Sequence, residues 1–499
     1  MKKRIRLTAL FITVLVLLSS CSKNDPVNET SAVSDNVSET SVETSASETE
    51  DEVEFGIDAL LELDGVKSVE EITEPGDCPD EYNLMVIFEQ PLDWNDPSKG
   101  TFDQRVQLCY SGFGVNELLV NGYAINDLGL GYGSYMDGFS KMHDVNLINI
   151  EYRFYGKSVP EDIIAGSPEY ISYLNSYNAA CDIHHIVDEF KKLIPGTWMM
   201  TGCSKGGVAT MAQSMYFPQD ADLYIPQIAP FCDGPEAEGF FEYIYEEIGN
   251  ERYGPEQAAE YRKMVLDLQI DALELRDKLT EQVCRRLESG GNYFSSYATP
   301  EMIYDIVVMN FAVFTWQYDQ DFQRLSWVLE DKGTEDYPAE ILELLVGIQA
   351  FTSTSQVMDL TPYFIQSGTE LGYTKYDFSY IREGIKERGS DAQLSITEEM
   401  EDGLFYRIHL EPEICDELVF DGSLRDGLIE WMNTTDCNVI LLYGGSDVWY
   451  PMRLPDVEDR ENFHTFVDPN ASHAYMLSNI DVGILKEIYG LIEETVGET

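Results

Sequence analysis

The spacing of apolar positions changes along this chain, and each change marks a different element. Residues 22–54 are rich in Ser, Thr and Glu and carry almost no large apolar side chains. Burial there cannot offset the entropy of ordering, so the pattern predicts a flexible acidic tether over 21–55. YNLMVIFEQ (82–90), FDQRVQLCYSGF (102–113) and ELLVNGY (117–123) read as strands, with the turn cluster PLDWNDPSKG between the first two. VNLINIEYR (145–153) is mostly apolar and β-rich, as expected of a strand buried on both faces. SYNAACDIHHIVDEFKKLI (176–194) switches to helical spacing. A short apolar run, WMMT, then stops at a glycine-rich turn, and VATMAQSMYF resumes the helical period. DLYIPQIAPFCDG (222–234) reads as a further strand and its loop. Strands alternating with helices predict an α/β fold with a mostly parallel sheet.

From about 236 to 430 the period is helical, most plainly in AAEYRKMVLDLQIDALELRDKLTEQVCRRLE (258–288), and no buried-strand pattern interrupts it. Strand patterning returns at NVILLYGGSDVWYP (438–451) and NFHTFVDPNASHAYML (462–477), and a last helix is expected over roughly 477–494. The expected organisation is a core in two parts, 56–235 and 431–499, with a helical cap inserted at 236–430.

Composition adds a field and a compartment. The 499 residues include 32 Lys+Arg and 90 Asp+Glu, a formal net charge of -58. That charge repels nucleic acid, which is not expected as a partner. Lys2, Lys3, Arg4 and Arg6 precede an apolar run from Leu7 to Leu18, a secretion signal over 1–20 that is too short for a membrane span of ~20 residues. Leu18-Ser19-Ser20-Cys21 resembles the bacterial lipobox. It implies cleavage before Cys21, a lipid on that thiol, and an exported protein tethered to the bacterial cell membrane. The remaining cysteines are Cys78, Cys109, Cys181, Cys203, Cys232, Cys284, Cys415 and Cys437. They show no CxxC and no zinc spacing, so no metal is expected. Export permits disulfides whose pairing stays open; Cys203 reads as a packed thiol.

The turn after WMMT carries the candidate chemistry. Gly202-Cys203-Ser204-Lys205-Gly206 fits G-x-S-x-G between a strand and a helix, where small residues let a serine stand proud of a strained elbow. A serine hydroxyl attacks a carbonyl only if a base takes its proton, and in this fold class the acid and the histidine follow the serine in that order. His473, in the turn-rich DPNASHAY, suits the base better than His464, which lies inside a strand pattern. His184 and His185 lie in a helix with no third group at metal-ligand spacing. Asp447 follows the strand NVILLYGG and suits the acid; Asp456 and Asp468 are the alternatives. The backbone N–H groups of Lys205 and of Tyr123, in Gly122-Tyr123-Ala124, are the candidate oxyanion donors, with the Lys205 side chain expected to be structural.

QPLDWNDPSKGTFDQRV, NIEYRFYGKSVP, TGCSKGG and YGGSDVWYP with ASHAY resemble, in order and across nearly the whole folded chain, the PS-10 type serine peptidases. These are secreted bacterial tripeptidyl aminopeptidases, distantly related to the prolyl carboxypeptidases. The resemblance implies an α/β-hydrolase core and a Ser204, Asp447, His473 triad. It also implies release of short units from free peptide N-termini, with no cofactor. Relatives often carry His where this chain has Trp94, and only local packing is expected to differ there. Glu151-Tyr152-Arg153 matches a family motif and is read as a buried Arg–carboxylate support. Binding a substrate ammonium would need carboxylates ~10 Å from Ser204 at ~3.4 Å per residue. Asp233, Glu236, Glu238 and Glu242 stand near the start of the helical segment, Glu236 and Glu238 foremost. The rival readings are an esterase or lipase on the same triad and a non-catalytic peptide-binding lipoprotein.

Overall fold

Nine strands form one sheet in the order β1-β2-β3-β5-β4-β6-β7-β8-β9. They are β1 (Val66–Glu71), β2 (Tyr82–Pro91), β3 (Thr101–Tyr110), β4 (Val115–Val120), β5 (Asn146–Ile150), β6 (Thr197–Cys203), β7 (Leu223–Gln227), β8 (Val439–Gly444) and β9 (Phe463–Asp468). The pairings of β1 with β2, β2 with β3 and β3 with β5 are antiparallel, and every pairing from β5 through β4, β6, β7 and β8 to β9 is parallel. Apart from the added β1, this strand order is that of the α/β hydrolases. The computed structural model describes residues 55–72, 82–125, 144–351, 360–473 and 480–497. All of them fall in the compact unit Val53–Thr499.

The central strands are apolar throughout because both faces are covered, and side chains of alternate residues go to opposite sides. On one face Trp198, Met200, Tyr224, Val439, Leu441 and Tyr443 join the larger core. On the other, Met199, Leu223, Ile225, Ile440 and Leu442 pack with Ile488 and Ile492 of the C-terminal Val482–Val496 helix. Between β7 and β8 the described residues hold helices and loops but no strand, and β8 pairs directly with β7. The long helical run expected at 258–288 is two helices, Pro255–Glu274 and Arg276–Ser289, because Leu275 leaves helical geometry at φ -97, ψ 6. The helix Ile57–Leu61 and β1 went unread, since VKSVEE lacks the alternation that marks a half-buried strand.

Two buried ion pairs brace the end of β5. Arg105 donates to both carboxylate oxygens of Glu151, at 2.9 and 2.6 Å. Arg153 does the same to Asp182, at 2.7 and 2.9 Å, and also reaches the carbonyls of Pro91, Leu92 and Tyr173. The expected Arg–carboxylate support is thus a double one. Buried charges survive only when paired and fully hydrogen-bonded, as both are here. Trp94 does more than pack: its indole N–H donates to Asp182 Oδ1 at 2.7 Å.

Candidate active site

Ser204 follows β6 at φ 55, ψ -120, a conformation L residues rarely hold. The glycines around it are required by close backbone approach. A Cβ on Gly202 would stand 2.4 Å from the Gly206 carbonyl oxygen, one on Gly206 2.2 Å from that of Val120, and one on Gly207 2.7 Å from that of Gln227. The Ser204 N–H donates to the Gln227 carbonyl at 2.9 Å, which ties the elbow to β7. The helix Lys205–Tyr216 starts at the next residue, so its first N–H groups, without intrahelical partners, gather beside Ser204. Cys203 forms no disulfide, whereas Cys109 is disulfide-bonded.

β8 ends at Gly444, and Asp447 lies in the turn beyond it, buried. One carboxylate oxygen accepts from the Trp449 N–H at 2.9 Å, and the other meets His473 Nδ1 at 2.8 Å. The pairing sets the tautomer: Nδ1 carries the hydrogen toward the carboxylate, and Nε2 is left as the basic nitrogen. The two loops are laced together. Ser446 donates from its N–H to Ala471 and from its hydroxyl to Pro469, and Gly445 donates to Asp468. The helical segment closes on the same turn, with the Tyr243 hydroxyl donating to the Gly445 carbonyl at 2.5 Å and the Tyr318 ring 6.5 Å from the His473 ring.

The rejected alternatives have other duties. His464 sits on β9 and pairs with exposed Asp459. Asp456 is an exposed partner of Arg453. Asp468 ends β9, but its carboxylate accepts from the N–H groups of Asn470 and Asp481. His184 pairs with Asp220. His185 has more company than its helix suggested: Asp64 and Glu189 bring carboxylate oxygens to within 4.8 Å of its nitrogens and of each other. Glu189 there already binds Lys192 and the Asp64 N–H. Glu236 accepts from the Gly403 N–H at 2.5 Å, which fixes a turn, and Glu238 is exposed. The Glu236 contact lies within the helical segment.

On the early loop, a Cβ on Gly122 would stand 2.6 Å from the Gly206 nitrogen, so the Gly122-Tyr123 peptide lies against the start of the Lys205–Tyr216 helix. The Lys205 side chain is fully buried among polar and aromatic groups, which the motif alone did not reveal. Its ammonium donates to the Gly122 carbonyl at 2.7 Å and stands 3.2 Å from the centroid of the Tyr152 ring. Burial holds it well below the ordinary lysine range, with Glu370 acting in the opposite direction.

The chain is 22% identical over 427 residues, 85% of its length and 81% of the relative's, to a prolyl tri/tetrapeptidyl aminopeptidase of Streptomyces mobaraensis. Among solved structures it is similar to a proline iminopeptidase of Mycobacterium smegmatis (TM-score 0.36, 11% identity, 82% of this chain and 97% of that one). It is also similar to a proline iminopeptidase-related protein of Thermus thermophilus (TM-score 0.33, 10% identity, 82% and 98%). The family model described as PS-10 peptidase S37 matches residues 52–395, and the chain therefore belongs to that family of serine peptidases.

Proposed function

We propose that Ser204, Asp447 and His473 form the catalytic triad of an exported aminopeptidase that releases short, tripeptide-like units from peptide N-termini. The observation that carries this reading is the buried 2.8 Å bond between His473 Nδ1 and Asp447, at the same end of the sheet as the strained Ser204. β6 and β8 flank β7. The two strand ends thus stand ~10 Å apart, a gap that the Ser204 and Asp447 side chains narrow to the ~8 Å an imidazole hydrogen-bonded on both sides can bridge. In this reading His473 Nε2 takes the Ser204 proton as Oγ attacks the peptide carbonyl. Asp447 stabilises the imidazolium, which then protonates the leaving amine. The N–H groups of Lys205 and Tyr123 receive the oxyanion. Water hydrolyses the acyl-enzyme by the same relay run again.

The N-terminal direction and the length of the released unit rest on the likeness to the Streptomyces aminopeptidase. Export is supported by the basic and apolar start of the chain and by the disulfide at Cys109. Residues 1–54, Cys21 among them, lie outside the described residues. Ser204→Ala is expected to lower kcat on the order of 10⁴-fold or more, and Asp447→Asn by about 10³–10⁴-fold, with unchanged unfolding temperatures. Product masses from a mixed peptide library would show N-terminal units of about three residues. Undiminished hydrolysis by Ser204→Ala refutes the triad; trimming from the carboxyl end refutes the direction.

A further inference from the structure

We infer that the Lys205 side chain is a positioning residue for the oxyanion hole: it grips the carbonyl of the Gly122-Tyr123 peptide and so aims that peptide's N–H. The inference rests on the triad and oxyanion reading above. A peptide unit is planar, so its C=O and the N–H of the following residue are one rigid body pointing opposite ways. Lys205 Nζ donates to Gly122 O at 2.7 Å. Fixing that oxygen fixes the Tyr123 N–H on the other side, and an N–H donor on the oxygen polarises the N–H it is conjugated to.

The surroundings are those of a built cation site. The Tyr152, Tyr155 and Tyr123 ring centroids stand 3.2, 4.9 and 5.6 Å from Nζ, and aromatic faces attract an ammonium. The Tyr152 N–H donates to the Tyr123 carbonyl at 3.0 Å, so the following peptide is held as well. Beyond the cage, Gln366 Nε2 donates both to the Tyr152 hydroxyl and to Glu370, and Glu370 also accepts from the N–H and hydroxyl of Ser176. Glu370 thus brings a carboxyl group of the helical segment up behind the cage, where burial raises it above the usual glutamate range. Nothing in a simple strand–turn–helix connection requires a buried lysine: its alkyl stem could be replaced by an apolar side chain at no cost in burial. What the amine adds is the grip on Gly122. The peptide it grips cannot shift toward the helix, since Gly122 already lies against Gly206.

The test uses the full-length enzyme with two peptide probes. One is a peptide boronate, whose tetrahedral serine adduct places an oxygen in the oxyanion hole; the other is the same peptide with a reduced, uncleavable bond that lacks the carbonyl. Lys205→Met should lower kcat and boronate affinity together, by on the order of 10–100-fold, while KM and affinity for the reduced peptide stay within about twofold. Tyr152→Leu withdraws the nearest π face but leaves the amine. It should give the same selective loss at smaller size, about 3–10-fold, and decides the matter if Lys205→Met does not fold. Boronate and reduced peptide weakening equally in the folded variant, or neither changing, would overturn the inference. Failure of the parent reading is separable, because the boronate would then not bind the wild-type enzyme and Ser204→Ala would remain active.

Discussion

His409 belongs to no candidate site, yet its environment gives it a measurable effect. Its ring stacks on Phe364 at 4.3 Å and meets Phe405 and Phe294 at 5.2 and 5.9 Å. Apolar burial disfavours the imidazolium and pulls the pKa down to about 4. An unfolded histidine titrates near ~6.5. Between those values the unfolded chain binds a proton that the folded chain refuses, so this group costs stability as pH falls from about 6.5 toward about 4. The cost approaches ~3 kcal/mol near the lower end. His409→Phe keeps the stack and removes the proton site. Urea midpoints measured at pH 7 and pH 4.5 should therefore fall less in His409→Phe than in the parent chain; parallel losses would contradict the assignment. The same rule, applied at Ser204, separates what could be read from residues alone. Gly202, Gly206 and Gly207 were legible as a tight elbow because only glycine tolerates backbone at such range. The fate of the Lys205 amine was not, since nothing local to TGCSKGG specifies that Tyr152, Tyr155 and Gly122 would enclose it.

Elements carry the next level. The central strands announced themselves by unbroken apolar runs, and β6, β7 and β8 stand where those runs lie. β1 escaped because an edge strand with two glutamates and a lysine presents no buried face to read. Asp447 and His473 were legible as loop residues beyond returning strands. The lacing of their loops through Ser446 was not, because it depends on the register of β8 against β9. Trp94 shows how two elements are joined at a distance. Its indole N–H reaches Asp182 on the Ser176–Phe190 helix, the carboxylate that also holds Arg153 after β5. Trp94→Phe removes one donor from a buried carboxylate and should cost about 1–2 kcal/mol. Trp94→His retains an N–H donor and is expected to lie within ~1 kcal/mol of the parent. Equal losses in the two variants, by chemical denaturation, would mean that ring volume and not the hydrogen bond is what matters there.

At the scale of the whole molecule, charge and anchorage have to be weighed together. A net charge of -58 sets the chain against an anionic bilayer, and screening at ~0.15 M salt leaves a Debye length of only ~8 Å, so electrostatics supplies no hold on the membrane. Among the described residues no helix is long and apolar enough to cross one. We propose that a lipid on Cys21 provides the attachment by hydrophobic insertion, which salt does not weaken. The expected result is specific. In bacterial cells the full-length chain sediments with membranes and stays there through a wash at about 1 M salt, where polybasic or ionic attachment would fail. Cys21→Ser should appear in the soluble exported fraction with unchanged kcat, because the anchor and Ser204 belong to separate parts of the chain. A Cys21→Ser protein that still sediments through the same wash would place the attachment elsewhere.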